Sequence, residues 1–356
     1  MATSTSTTIM MNSKTDKRPV SPLLRLPFEI RLMIYEYLLF PSKYPSTGSG
    51  TSVANLLPDF HTYYSEDTNS DPFTLSVRTI DPWLGTQGSR TWRQRSTYHV
   101  RTDREEWKLR RRMYGSLLTS SGPFLTTTTP TTYRILLSPY TAHLRYTVPS
   151  LLALNQQIHA EASKVLYSTY MFSFHTSIEA AVPFLSDLTP LARSHIRHLS
   201  LTKKALPYTK EFDRAEWSSL CEYIADHQPS STQTTPTLYS ESSATNIIPF
   251  QLRTLHLNVI AGKPDLGWSS ISPITGPDFA MMMRMRNEWG GGSLGGVDLE
   301  WAEQLTQIKG LKEMRVQALV EHCARPVSEK QAFWVAFSKS VEGGFGDWVR
   351  GVMVDS

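Results

Sequence analysis

The sequence is poor in the features that usually announce a chemistry. It holds two cysteines in 356 residues, Cys221 and Cys323, and they lie 102 positions apart. With no spaced cluster, neither a disulfide framework nor a cysteine-based zinc site is expected, and a reducing compartment fits best. No apolar run reaches the roughly 18 residues of a membrane-spanning helix. The net charge of +4 is small for this length and does not by itself mark a nucleic-acid binder. Residues 1–20 have no apolar core of a signal peptide and too few arginines for a transit peptide, so they read as a disordered tail. The "KTDKRP" inside that tail is at most a weak nuclear-import patch.

Catalytic motifs are missing too. There is no His-Glu-x-x-His, no Gly-x-Ser-x-Gly and no Cys-x-x-Cys. The Gly-rich "GGGSLGG" at 290–296 lacks a Gly-Lys-Ser/Thr ending and a preceding strand, so it reads as a flexible loop and not a phosphate cradle. "HIRH" sets His195 and His198 three apart. On a strand such side chains point to opposite faces and cannot share a metal. Cys221 falls on the apolar face Trp217, Leu220, Cys221 and Ile224 of a helix, a core position. The methionines of "MMMRMR" (281–286) suit core filling. No catalytic, cofactor-binding or metal-ligating residue is assigned, and the expectation is a non-enzymatic protein without cofactor.

What is present is apolar matter with a pattern. Hydrophobic residues make up 40% and aromatics 11%, enough for a real core. The first organised stretch is "LPFEIRLMIYEYLLF", residues 26–40. Pro27 suits a helix start, Glu29 favours the positive end of the helix dipole, and Pro41 stops the helix. Ile30, Met33, Ile34, Tyr37 and Leu38 form one apolar stripe. Leu32, Tyr35 and Leu39 form another, with Arg31 on an edge between them. Two stripes mean a helix sandwiched within its own chain, or one with a face left for a partner. The first stripe is expected to face the core.

The order Leu26-Pro27-x-Glu29-Ile30-x-x-x-Ile34-Tyr35-x-Tyr37-Leu38 resembles the start of an F-box. That family docks on the Skp-type adaptor of cullin ubiquitin ligases. Arg31 stands where many F-boxes are apolar, and the usual second helix is replaced by the loop-like "PSKYPSTGSGTS". A later segment, "SLLALNQQIHAEASKVLYSTYMFSF" (150–174), reads as a helix capped by Ser150. Its apolar stripe is Leu151, Leu154, Ile158, Ala162 and Val165, and Glu161 falls on the polar side. The two segments together resemble a broad group of fungal F-box-like proteins, in which a Leu-Pro-x-Glu-Ile-Arg helix pairs with a later LL…QI-x-AEA…LYS…F-x-F segment. Asn155 and Gln156 replace the group's usual cysteine and arginine. The resemblance implies adaptor docking through the second stripe, with Leu26, Pro27, Leu32, Tyr35 and Leu39 as the docking residues.

Between the two segments, 41–148 reads as an insertion with short strands at 73–80, 97–102 and 132–140 and a Thr-rich tract at 126–132. Residues 90–112 carry nine basic against three acidic residues, a local +6. Arg90, Arg93, Arg95, Arg110, Arg111 and Arg112 belong to this patch, with Trp92, Tyr98 and Trp107 interleaved. Arginine with aromatics suits nucleic acid. A solvated face with local i, i+4 pairs is the favoured reading, since no nucleic-acid fold surrounds it.

The C-terminal half alternates helices with three strands of one template: aliphatic, basic, any, aliphatic, any, aliphatic. The instances begin at Ile196, Leu252 and Leu311, 56 and 59 residues apart. This resembles the strand of leucine-rich repeats at about twice their period. Parallel strands with right-handed crossovers are expected. Alternation puts leucines, Met314 and Val316 on one face, and His198, Ser200, Thr202, Thr254, His256, Asn258, Glu313, Arg315 and Gln317 on the other. Helices should cover the apolar face and leave the polar one open to a partner.

The expected fold is thus α+β or α/β. Residues 1–20 form a tail. Residues 21–175 hold the split F-box-like helices (21–40 and 149–175) around the insertion 41–148, and 176–356 hold irregular strand–helix repeats. The expected function is protein interaction: a substrate receptor of a cullin-type ligase, with a Skp-type adaptor and a substrate as partners. The alternatives are an interaction scaffold with a vestigial F-box, and a nuclear nucleic-acid-associated protein using 90–112. The expected location is intracellular, cytoplasmic or nuclear.

Overall fold

The computed structural model describes residues 22–44, 71–79, 133–138, 140–175, 178–204, 211–228, 249–265, 268–288 and 299–354. The N-terminal tail, the expected strand at 97–102, the Thr-rich tract, the basic segment 90–112 and the Gly-rich 290–296 lie outside them.

A short 3-10 turn, Pro22–Arg25, leads into helix α1, Phe28–Leu39. Strand β1 (Thr74–Thr79) and its partner β2 (Tyr133–Leu136) come from the expected insertion. Helices α2 (Leu144–Leu152) and α3 (Gln156–Thr169) follow, then the three-residue strand β3 (Met171–Ser173). Two short helices, α4 (Ala181–Asp187) and α5 (Pro190–Ser194), precede β4 (His198–Lys204). Helix α6 is Glu211–Asp226 and β5 is Thr254–Pro264. Helices α7 (Gly276–Glu288) and α8 (Glu300–Leu305) lead to β6, Glu313–Cys323. The chain closes with α9 (Glu329–Ser340), a wide turn Val341–Phe345 and α10 (Gly346–Met353).

The six strands make one sheet in the order β2-β1-β3-β4-β5-β6. The β1–β2 pair is antiparallel and every other pair is parallel. The parallel strands stand side by side in chain order. A right-handed crossover that always advances in one direction returns on the same face each time. The side chains agree. Leu75, Phe172, Leu199, Leu255 and Met314 are ladder partners and all are buried. They join Trp217, Leu220, Trp301, Phe337 and Val349 from the helices, and Phe345 from the wide turn, in a single cluster.

The strands β1 to β3 belong to the first part expected from the sequence and β4 to β6 to the second. The boundary at 175/176 therefore runs through the middle of one sheet, and one apolar cluster extends from Tyr35 to Met353. The 150–174 segment is not one helix either. Ser150 lies inside α2, and α3 begins after Asn155, whose Oδ1 accepts the Ile158 N–H at 2.8 Å. Leu154, expected in the apolar stripe, falls in the break between the helices and is exposed. His195 ends α5 and is not on β4, so the strand argument for the two histidines does not apply.

Past the end of β4, helix α9 takes the place of a neighbouring strand along β5. Ser338 Oγ accepts the Gly262 N–H at 2.9 Å. The indole of Trp334 occupies the space where a Cβ on residue 262 would stand. Glycine is required there by close approach, not by its backbone angles.

Candidate functional site

Arg31 of α1 and Glu161 of α3 meet at a part-buried joint. The Arg31 guanidinium donates Nε to Glu161 Oε2 at 2.9 Å and Nη2 to Oε1 at 2.7 Å, a bidentate pair. Tyr35 OH donates to Oε2 at 2.8 Å, and Gln157 Nε2 to Oε1 at 2.9 Å. Arg31 Nη1 also donates to the Leu26 carbonyl at 2.6 Å, which ties down the chain ahead of the helix. These hydrogen bonds, that of Arg31 first, hold the Glu161 carboxyl down at about 2. Burial first, then the carboxylate beside it, pushes the Tyr35 hydroxyl up to about 12. Farther along α1, Tyr170 OH donates to the Leu39 carbonyl at 2.6 Å.

This joint corrects the expected orientation of α1. Arg31, Tyr35 and Leu39, spaced i, i+4, i+8, form the inward stripe, and Tyr35 and Leu39 are completely buried. Both were expected among the docking residues. Leu26 and Pro27 of that set are exposed, and Leu32 is half-buried. Ile30 was expected in the core, yet Ile30, Met33 and Tyr37 face outward, with Tyr37 87% exposed. The physical reason is that a buried charge is tolerated when its partner is buried with it, and Glu161 supplies that partner 130 residues away. Leu26 and Phe28 extend the outward apolar surface at the N-terminal end of α1.

The polar face of the sheet is the second feature. Register sets Thr74, Met171, His198, Thr254 and Glu313 in one row, and Ser76, Ser173, Ser200, His256 and Arg315 in the next. Thr202, Asn258 and Gln317 form a third. The nine residues expected as a partner face are thus ladder partners. They do not form one open surface. Ser200, Thr202 and Thr254 are buried, His198, His256 and Asn258 are half-buried, and only Glu313, Arg315 and Gln317 are exposed. Strands β4 and β5 are flanked on both sides, whereas β6 is an edge strand among the described residues, with its Ala318 N–H donating to Glu342 Oε1 at 2.9 Å.

Polar partners knit the face together. Asn258 Nδ2 donates to Ser200 Oγ at 3.4 Å, and Arg315 Nε pairs with Glu313 Oε1 at 2.6 Å. Burial first, then Arg315, lowers the His256 pKa, and burial with nearby Arg253 lowers that of His198. Beyond the end of β3, His175 adopts a φ of 30°, rare for a residue with a Cβ. Burial, Arg78 and Lys204 hold its imidazole down at about 4, so it is neutral at pH 7.

Ser76, Arg78, Ser173 and His175 were missed as members of this face. The signal was the short alternation Leu75-Ser76-Val77-Arg78 and Phe172-Ser173-Phe174, the same period of two that marks the longer strands. The basic patch at Arg90, Arg93, Arg95, Arg110, Arg111 and Arg112 lies outside the described residues. Among the described residues no group of three or more His, Cys, Asp or Glu is arranged to hold a metal ion, and no helix is long and apolar enough to cross a membrane.

No family model, curated protein or solved structure matches the chain.

Proposed function

We propose that the chain is a non-enzymatic protein-interaction module that docks on a Skp-type adaptor and serves as a substrate receptor of a cullin-type ubiquitin ligase. The docking surface in this reading is the outer side of α1, Ile30, Met33 and Tyr37 with Leu26 and Phe28, and not the stripe through Tyr35 and Leu39. One observation carries it. The Arg31–Glu161–Tyr35 joint fixes the inner side of α1 to α3, while the outer side leaves several large apolar side chains in water. A contiguous exposed apolar surface of that kind marks an interaction site. The leucine-rich-repeat-like order of parallel strands, with helices on the apolar face, supports a receptor architecture by analogy only.

The test is co-expression with a Skp-type adaptor and recovery of the complex. The parent should retain the adaptor, and a Met33→Asp, Tyr37→Asp variant should lose it while unfolding at the same temperature as the parent, because both residues are exposed. A parent that recovers no adaptor removes the ligase link and leaves an interaction scaffold. A variant that still binds moves the docking surface away from α1.

A further inference from the structure

The strand template contains one position that packing does not explain. Its aliphatic residues fill the core, but a basic residue recurs just before each of β4, β5 and β6: Arg197, Arg253 and Lys312. The fold brings all three into one row. The Arg253 N–H donates to the Arg197 carbonyl at 2.9 Å, and the Lys312 N–H to the Arg253 carbonyl at 2.8 Å. Adjacent members are therefore one strand spacing apart, and the row spans about 10 Å across the N-terminal ends of the strands. Like charges on neighbouring strands oppose sheet formation, so three in register call for a compensating reason.

That reason is not found among the described residues. The Arg197 guanidinium donates from Nη1 to the Ser194 and Gln251 carbonyls at 3.0 and 2.8 Å, which fixes its position but leaves its charge unneutralised. Arg253 and Lys312 are exposed, and among the described residues neither side chain has a hydrogen-bond or ion-pair partner. Glu313, next in sequence to Lys312, is paired with Arg315. Burial first, then Arg253, lowers the Arg197 pKa, consistent with crowded positive charge.

We infer that this row is a docking site for an acidic protein segment, an extended run of glutamate or aspartate side chains. Alternate carboxylates of an extended chain fall about 7 Å apart on one side, within reach of long arginine and lysine side chains set at about 5 Å. Charge complementarity selects an anion. The choice of a peptide over a single-stranded nucleic acid follows from the rings. A nucleic-acid strand needs aromatic platforms for its bases, and the exposed aromatic residues described, Phe28, Tyr37, Tyr44, Tyr140 and Tyr146, all belong to the N-terminal part of the chain. The inference is independent of adaptor docking, which uses a different surface.

The experiment uses the intact chain and three probes: fluorescein-labelled octaglutamate, octaglutamine, and an octauridylate RNA. Fluorescence anisotropy at low salt should show binding to octaglutamate and none to octaglutamine, with affinity falling as salt screens the charges. Arg253→Gln with Lys312→Gln should weaken octaglutamate binding about tenfold or more, while Arg315→Gln on the polar face leaves it within about twofold. The thermal midpoint of the double variant should be unchanged or higher, since a like-charge contact is relieved. Equal affinity in the double variant overturns the proposal and points to cations elsewhere in the chain. Absence of octaglutamate binding overturns it, as does tighter binding of octauridylate that the double variant abolishes.

Discussion

Replacing Tyr35 by phenylalanine removes one hydroxyl from the joint and little else. The ring keeps its place against α3, and Glu161 Oε2 keeps the Arg31 Nε bond, so no charge is orphaned. What is lost is one part-buried hydrogen bond to a carboxylate. Such bonds contribute roughly 1.5–3 kcal/mol net, and with the acceptor still satisfied the lower end applies, about 1.5–2 kcal/mol. For a chain of this size that is a fall of about 3–6 °C in thermal midpoint at pH 7. The pH dependence gives a second, independent reading. Glu161 ionises at about 2 in the folded chain against an ordinary 4.5. A depressed carboxyl contributes stability that is fully present above its unfolded pKa and is lost as pH falls through its folded value. The deficit of a Glu161→Gln variant relative to the parent should therefore be full above pH 5 and shrink between about pH 4.5 and 2. Urea unfolding of parent, both single variants and the double variant supplies the assay. Tyr35 and Glu161 are donor and acceptor of one hydrogen bond, so the effects of the two changes should fall short of additive. A Tyr35→Phe protein as stable as the parent, or strictly additive effects, would show that the joint is not formed in solution.

Other positions test other parts of the fold. Gly262→Ala should destabilise by roughly 1–3 kcal/mol through overlap with the Trp334 indole, and Trp334→Ala in the same chain should recover part of the loss. Leu257→Ala, at the centre of the apolar ladder, should lower stability by about 2–5 kcal/mol, whereas Arg315→Ala at the exposed edge should change it by less than about 0.5 kcal/mol. Asn155→Ala should cost about 1 kcal/mol by removing the cap of α3, measured by thermal unfolding, and Ser150→Ala within α2 should cost almost nothing.

Legibility followed the range of the interaction that decides each element. The strands β4, β5 and β6 could be aligned from sequence because alternation is local and repeats. Residues matched in the template, such as Ser200, His256 and Arg315, are ladder partners in the sheet. Strand β3 escaped because three residues carry too little alternation to stand out from the helix before it. The extent of α1 was readable from Pro27 and Pro41, but its rotation was not. Apolar counting sends Arg31 to water. Only Glu161, remote in sequence, makes its burial tolerable, and no local pattern announces a partner at that distance.

The same reasoning explains why the two faces of the sheet differ. A doubly wound sheet reverses its direction of growth once, which puts helices on both faces and makes its strands apolar throughout. Here the parallel strands β1, β3, β4, β5 and β6 are laid down in order without reversal. Right-handed crossovers between strands laid down in that order are expected to return on one face, while the Trp334 indole of α9, after the last strand, stands where a Cβ on Gly262 would be, on the other side of β5. One side of each strand must be apolar to meet those helices, and the other is released from that demand. Serine, threonine, asparagine, histidine and arginine take those positions from Ser76 across to Arg315. The order of the strands thus accounts for a polar row running through a parallel sheet. It also locates the accessible end of that row at β6, where no further strand stands beside it among the described residues.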